Sequence, residues 1–152
     1  MTLLSISIIN YQLSIINYQL SIIMYLGFDP GKDKCGIAVM NSDRCIIYHQ
    51  VIPSHNALIT IEKLCQEYQI TTLIMGDQTT SKKWKQQLTN HLPETIKIVM
   101  VDERYTSLKA RDRYWQMYPP TGFTKLIPQT MRDIPRPIDD IVAILLLEKY
   151  FS

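Results

Sequence analysis

A chain of 152 residues that is 46% hydrophobic and 20% charged can bury one substantial core, which excludes disordered and collagen-like classes and leaves little room for two domains. Its net charge of +2 hides an asymmetry: residues 24–78 carry four basic and six acidic side chains, residues 79–152 twelve basic and eight acidic. Cys35, Cys45 and Cys65 are odd in number and lack CxxC spacing, so neither a disulfide framework nor a zinc knuckle is indicated, and reducing cytoplasm is the simplest expectation.

Residues 10–16 read NYQLSII, and residues 17–23 repeat them without a change. Two copies are too few for a coiled coil, and no charge before Asp29 could serve at e or g positions. A positive leader and a small-residue cleavage site are missing, and scattered Asn, Gln and Ser weaken the segment as a membrane span. Because the repeat abuts Met24, residues 1–23 are expected to be a repetitive extension outside the fold, resembling translated repetitive DNA ahead of a functional start at Met24. The alternative is a sticky, nonessential strand.

From Met24 the chain reads MYLGFDPGKDKCGIAV: a strand over 25–29, a Pro-Gly turn, then a second strand over 36–41. Asn41-Ser42-Asp43 makes a hairpin turn into a third strand over 44–51. After Pro53 and the capping candidate Ser54, apolar Leu58, Ile61, Leu64, Cys65 and Tyr68 fall at helical spacing and predict a helix over 56–69. Thr71 to Met75 is a short apolar run ending at Gly76, Ser81 can cap a helix to His91, and 96–101 is a further strand. A helix over 107–116, a Pro-rich loop over 118–137 and a strongly apolar helix over 138–151 complete the chain. Three antiparallel strands followed by alternating helices and parallel strands predict an α/β domain over 24–152: a mixed five-stranded sheet with helices on both faces, in the ribonuclease-H-like order.

In that order the first strand lies beside the fourth and the fifth beyond it, so their carboxyl ends open on one edge. Asp29 and the pair Asp102-Glu103 share the edge, and an acid of Asp139-Asp140 points back to it from the first turn of the last helix. Three distant segments would then supply one acidic cluster, which repels itself unless a cation such as Mg²⁺ or Mn²⁺ neutralises it. Two such ions about 4 Å apart can activate a water and steady the leaving oxygen of a phosphodiester. Each acid also has a plain use. Asp29 can simply open a turn, Asp139 and Asp140 can complement a helix dipole for roughly 0.3–1 kcal/mol each, and Asp102 can pair with Arg104. Agreement among the three segments is what favours chemistry.

Arg104, Lys109, Arg111, Arg113, Lys125, Arg132 and Arg136 outnumber Asp112 and Asp133 across 104–136, which makes this stretch a candidate polyanion face or an ordinary solvated surface. Tyr114, Trp115, Tyr118 and Phe123 lie among these cations and could stack bases, although core packing is the commoner use of such residues. Trp84 among Lys82, Lys83 and Lys85 poses the same choice, and His49, His55 and His91 have no ligand-like partner at helical spacing.

The segments YLGFDPGKDKCGIAV, VDERYTSLKAR and IDDIVAILLLEKYF together resemble the YqgF (RuvX) family, ribonuclease-H-like nucleases assigned to Holliday-junction resolution and to pre-16S rRNA processing and related to RuvC resolvases. The resemblance covers 24–152. It implies Asp29, Glu103 and Asp139 as catalytic metal-binding acids, with Asp140 as a further candidate ligand. It also implies Arg104 and Thr106 as backbone-binding or positioning residues, which Lys109, Arg113, Lys125, Arg132 and Arg136 would extend into a nucleic-acid face. One segment departs from the family: after the fourth strand the usual Gly-Leu-Pro and Gly-containing loop is replaced by MGDQTTSKKWKQQL from Met75, where Asp77 is either an extra ligand or a loop residue. The expected activity is Mg²⁺- or Mn²⁺-dependent hydrolysis of phosphodiester bonds in branched DNA or precursor rRNA, away from membranes. Junction cutting needs two sites and so predicts a homodimer. The alternative is a noncatalytic nucleic-acid-binding domain of the same fold with a degraded metal site. Actin-like ATPases also use a Gly-x-Asp-x-Gly loop, but they need two such domains, and 152 residues are too few.

Overall fold

The computed structural model describes every residue except 79, and every side chain except those of 19–21 and 79. In chain order the elements are α1 (Leu3–Ser21), β1 (Met24–Asp29), β2 (Lys34–Asn41), β3 (Ile46–Pro53), α2 (Ala57–Glu67), β4 (Thr72–Gly76), α3 (Ser81–His91), β5 (Lys97–Val101), α4 (Thr106–Met117) and α5 (Asp139–Tyr150). The five strands form one sheet in the order β3-β2-β1-β4-β5. β1 to β3 pair antiparallel, while β4 and β5 run parallel to β1, the ribonuclease-H-like order expected.

The inner strands are apolar throughout because both faces are covered. Ile37, Val39, Leu73 and Met75 join Leu26 and Phe28 in a core closed by Ile61 and Leu64 of α2 and Leu88 of α3. Their neighbours Ala38, Met40 and Ile74 point the other way, into a core built on Ile141, Ile144 and Leu147 of α5 and Ala110 and Tyr114 of α4. Side chains alternating by two along each strand thus sort one apolar run between two layers.

Two glycines set how closely α5 sits on the sheet. A Cβ on Gly27 would lie 2.5 Å from the Ala143 carbonyl oxygen, and one on Gly36 would lie 1.8 Å from that of Asp139. Only glycine permits this contact, and Gly36 is the register partner of Asp29. The first turn of α5 is thereby seated over the end of β1.

Several local expectations shift. β3 starts at Ile46 rather than 44, because Asn41 Oδ1 accepts the Cys45 N–H at 2.9 Å and Arg44 takes a positive φ of 64°, widening the turn. Ser54 does not cap a helix; it begins a short 3₁₀ turn and its hydroxyl donates to the Gly31 carbonyl at 2.9 Å. Thr80, not Ser81, precedes α3, and it makes no capping bond. The loop over 118–137 contains two 3₁₀ turns, Gly122–Leu126 and Gln129–Met131. Trp84 packs edge-on against Phe28 with centroids 5.2 Å apart and Tyr114 packs against Trp115, so Trp84, Tyr114 and Trp115 serve the cores, while Tyr118 touches Tyr114 from the exposed side.

The amino-terminal repeat is helical, not a strand. The side chains of residues 1–18 are exposed apart from half-buried Ser5, and no described side chain of 1–23 enters either core. Among the described residues no helix is long and apolar enough to cross a membrane.

Candidate active site

Asp29 closes β1, Glu103 lies two residues past β5, and Asp139 opens α5. Parallel pairing of β1, β4 and β5 brings the first two to one sheet edge, and the Gly36 contact brings the third. Room for Glu103 comes from Gly76 at the end of β4, where a Cβ would fall 1.2 Å from Glu103 Oε1. The Glu103 backbone is held on both sides. Its N–H donates to Asp77 Oδ1 at 3.2 Å, and its carbonyl accepts from the Thr106 N–H at 3.0 Å and the Thr106 hydroxyl at 2.6 Å. The tight turn this imposes forces Tyr105 into the left-handed region at φ 66° while leaving its ring exposed.

Glu103 is 5% exposed, and both of its carboxylate oxygens are buried with no hydrogen-bond partner. Burial pushes its carboxyl up to about 7, with the Asp77 charge adding to the effect. Asp29 is pushed further, to about 8, by burial first and then by the charges of Glu103 and Asp139. A buried carboxylate without donors is costly unless a proton or a cation compensates it. The three acids offer hard oxygen donors alone, the set that suits Mg²⁺ or Mn²⁺. Beside them lies a cleft of about 280 Å³ lined by Asp29, Pro30, Gly31, Gln78, Ser107 and Asp139, among others. As the side chains stand, no three His, Cys, Asp or Glu among the described residues close on one metal-sized point, so the acids are electrostatic neighbours and not a finished shell.

Asp140, a candidate ligand by sequence, is placed elsewhere. It is 2% exposed, its Oδ2 lies 2.6 Å from His49 Nδ1, and its Oδ1 accepts from the Arg136 guanidinium at 2.9 Å. Successive helix residues point about 100° apart, so with Asp139 on the cleft its neighbour turns toward β3. Spacing along the chain offers His49 no partner, because the one it has lies 91 positions away. Asp102 takes the plain use foreseen for it, bonding Arg104 through Nε at 2.9 Å. Asp77 is an exposed loop residue that acts through the Glu103 backbone.

The expected nucleic-acid face divides. Thr106 is 5% exposed and fastens the Glu103 turn, which leaves it unavailable to a substrate backbone. Arg113 bonds Glu148 at 2.7 and 3.1 Å, joining α4 to α5. Arg132 donates to the carbonyls of Thr124 and Ile127 and lies over the Trp115 ring. Arg136 holds Asp140 and lies over the rings of Tyr114 and Tyr118. These three arginines are occupied within the fold: Arg113 ties two helices together, while Arg132 and Arg136 satisfy loop carbonyls and cover aromatic rings. Arg104, Lys109 and Lys125 remain exposed.

In overall shape the chain is similar to the Thermus thermophilus RuvC structure, with a TM-score of 0.49 and 11% identity over 85% of this chain and 94% of that one. In sequence it is 24% identical over 140 residues to a candidate pre-16S rRNA nuclease of Sulfurihydrogenibium sp. (strain YO3AOP1), covering 84% of this chain and 88% of that protein. The family model described as RuvX, Holliday junction resolvase, matches residues 23–152, and the chain therefore belongs to the RuvX family.

Proposed function

We propose that this protein is a metal-dependent phosphodiesterase of structured nucleic acid, with Asp29, Glu103 and Asp139 holding Mg²⁺ or Mn²⁺. The observation that carries the reading is Glu103: a buried carboxylate with two unpartnered oxygens, beside an Asp29 whose carboxyl is raised to about 8. Nothing in the packing requires an acid at either position, and both would be easier to bury as apolar residues. A divalent cation bound there supplies Lewis acidity at a phosphate and lowers the pKa of water.

The residues of the chain have distinct tasks. Asp29 forms the wall of the cleft where a phosphate would enter. Asp139, in the first turn of α5, faces the cleft beside Asp29. Asp77 and Thr106 fix the Glu103 backbone, so only its side-chain torsions remain to be set when a shell closes. Arg104 and Lys109, exposed at the start of α4, can meet phosphates at the rim. The family description and the relative's name suggest branched DNA or precursor rRNA, and both present phosphodiesters to the same acids.

The test is cleavage of a labelled four-way DNA junction and a precursor-rRNA fragment by the full chain and its Asp29→Asn variant, with Mg²⁺, Mn²⁺ or chelator. Metal-dependent cutting that the variant loses supports the reading, and the preferred substrate names the role. Undiminished cutting by a folded variant would overturn it. Because the acids do not stand as a closed shell, binding without cutting in any metal would favour a noncatalytic nucleic-acid-binding domain instead.

A further inference from the structure

The turn after β1 separates two depressions, and Gly31 lines both. One is the acidic cleft. The other, of about 630 Å³, is lined by Lys32 from the turn, Ser54 and His55 from the 3₁₀ segment, and Lys83, Trp84 and Gln87 from α3, among others. Among the described residues no carboxylate lines it. Lys32, His55 and Lys83 are exposed, and among the described residues none of them takes part in an ion pair. Three groups able to donate hydrogen bonds to an anion thus converge from three separate elements on one hollow, immediately beside the acids.

The floor of this hollow is built. Ser54 donates its hydroxyl to the Gly31 carbonyl at 2.9 Å and its N–H to the Asp33 carbonyl at 3.0 Å, tying the end of β3 to the turn. Cys35 Sγ lies 3.3 Å from the Ser54 hydroxyl and accepts the Gly31 N–H at 3.4 Å. The Trp84 wall is wedged against Phe28 in the core. Lys32 and Lys83 therefore stand on a fixed frame and not on a wandering loop.

A nucleic acid with one phosphate at Asp29 must carry its neighbouring phosphates out of the cleft on either side. On the α4 side Arg113, Arg132 and Arg136 are already engaged and Arg104, Lys109 and Lys125 stand exposed on separate parts of the segment, whereas on the Gly31 side Lys32, His55 and Lys83 line one hollow and, among the described residues, none of them is in an ion pair. We propose that the Lys32–His55–Lys83 groove binds the sugar-phosphate backbone flanking the cut, so that the substrate crosses the Gly31 turn instead of following the 104–136 segment. This rests on the nuclease reading and specifies where its substrate lies.

Binding of the four-way junction and the precursor-rRNA fragment to the full chain, measured in chelator across a salt series, tests the groove. The Lys32→Ala/Lys83→Ala variant removes two exposed side chains and leaves the cores intact. It should weaken binding about tenfold or more near 0.1 M salt and lower the slope of log K against log salt by about two, at roughly 0.9 per phosphate contact on duplex DNA. Its melting temperature should not change. Loss on both substrates supports recognition of a backbone shared by DNA and RNA, and loss on one alone supports the groove and names its strand. An unchanged slope in this variant, with a reduced slope in Lys109→Ala/Lys125→Ala, overturns the proposal and moves the substrate to α4. Metal-dependent cutting by a wild-type chain whose groove variant binds normally sinks the groove alone. A wild-type chain that binds neither substrate sinks the nuclease reading and the groove with it.

Discussion

Asp139 and Asp140 share a helical turn, yet one belongs to a region of unbalanced charge and the other to a region where charge is balanced. Asp140 is held by His49 and Arg136, and Arg136 in turn lies over the rings of Tyr114 and Tyr118. Close by, burial and the charges of Glu103 and Asp139 raise the Asp29 carboxyl, and Glu103 has no hydrogen-bond partner for either oxygen. An acid that a fold needs is matched to donors of that fold. An acid that chemistry needs is left for something the fold does not contain. The two regions should therefore respond in opposite ways when an acid is removed.

The largest difference is expected from Asp29→Asn. If an ion there supplies even a few kcal/mol of transition-state stabilisation, cleavage falls at least about a hundredfold. Stability in chelator should hold or rise, since a raised carboxyl is replaced by a neutral amide. Activity assays and thermal melts of the same preparation check both halves, and a variant that loses stability while keeping activity would reverse the roles of the two regions.

Asp140→Asn should do the reverse. Removing one partner of a buried ion pair costs roughly 3–5 kcal/mol, but Arg136 and His49 keep partial access to water, so about 2 kcal/mol is expected in urea unfolding. The seat of α5, and Asp139 with it, should loosen, giving a modest fall in activity. A neutral effect on stability would show that the Asp140 cluster carries no more than a surface pair.

A smaller effect lies in pH. The folded-state carboxyls of Asp29 and Glu103 stand at about 8 and about 7, above their ordinary values of 3.8 and 4.5. Without divalent metal, the folded chain therefore holds protons that the unfolded chain has released. The contribution of these two acids to stability should be fully present below about pH 4, decline as pH rises through the window up to about 8, and be lost above it, against the opposite and smaller trend of Asp102, whose carboxyl is lowered by Arg104. Mg²⁺ should reverse the trend, because the ion binds the ionised folded site only and raises the melting temperature more at higher pH. Melts across pH with and without Mg²⁺ check the sign, and the chelator slope should shrink in Asp29→Asn.

How much of this was legible from sequence depends on distance along the chain. Asp29 and Glu103 follow apolar runs, and a strand that ends in an acid can be read from a few residues. The sheet order followed from the alternation of elements. Spacing alone could not choose between Asp139 and Asp140, and only the family resemblance singled out Asp139, because the choice depends on the rotation of α5, which is set by its contact with Gly36, about a hundred residues earlier. The basic count over 104–136 registered cations but not their partners, so Arg113 and Arg136 counted as substrate contacts when they bond Glu148 and Asp140. The repeat before Met24 was uninformative for a related reason. It has no charges and none of its described side chains enters either core, so nothing described in it selects strand over helix by partner.

The smallest expected effect concerns Tyr105. Its left-handed backbone is forced by the bonds that pin Glu103 through Asp77 and Thr106, and an L side chain in that region costs roughly 1–2 kcal/mol that glycine avoids. Glycine also adds freedom to the unfolded chain, so Tyr105→Gly should gain at most about 1 kcal/mol, a rise of some 2–4 °C in a chain of this size. The Tyr105 ring is 76% exposed and contributes little packing to lose. A gain would place backbone strain beside the unpartnered acids, where the Asp140 region has satisfied bonds. A loss would mean that the ring packs against the α4 turn strongly enough to outweigh the strain, and the two regions would then differ in charge alone.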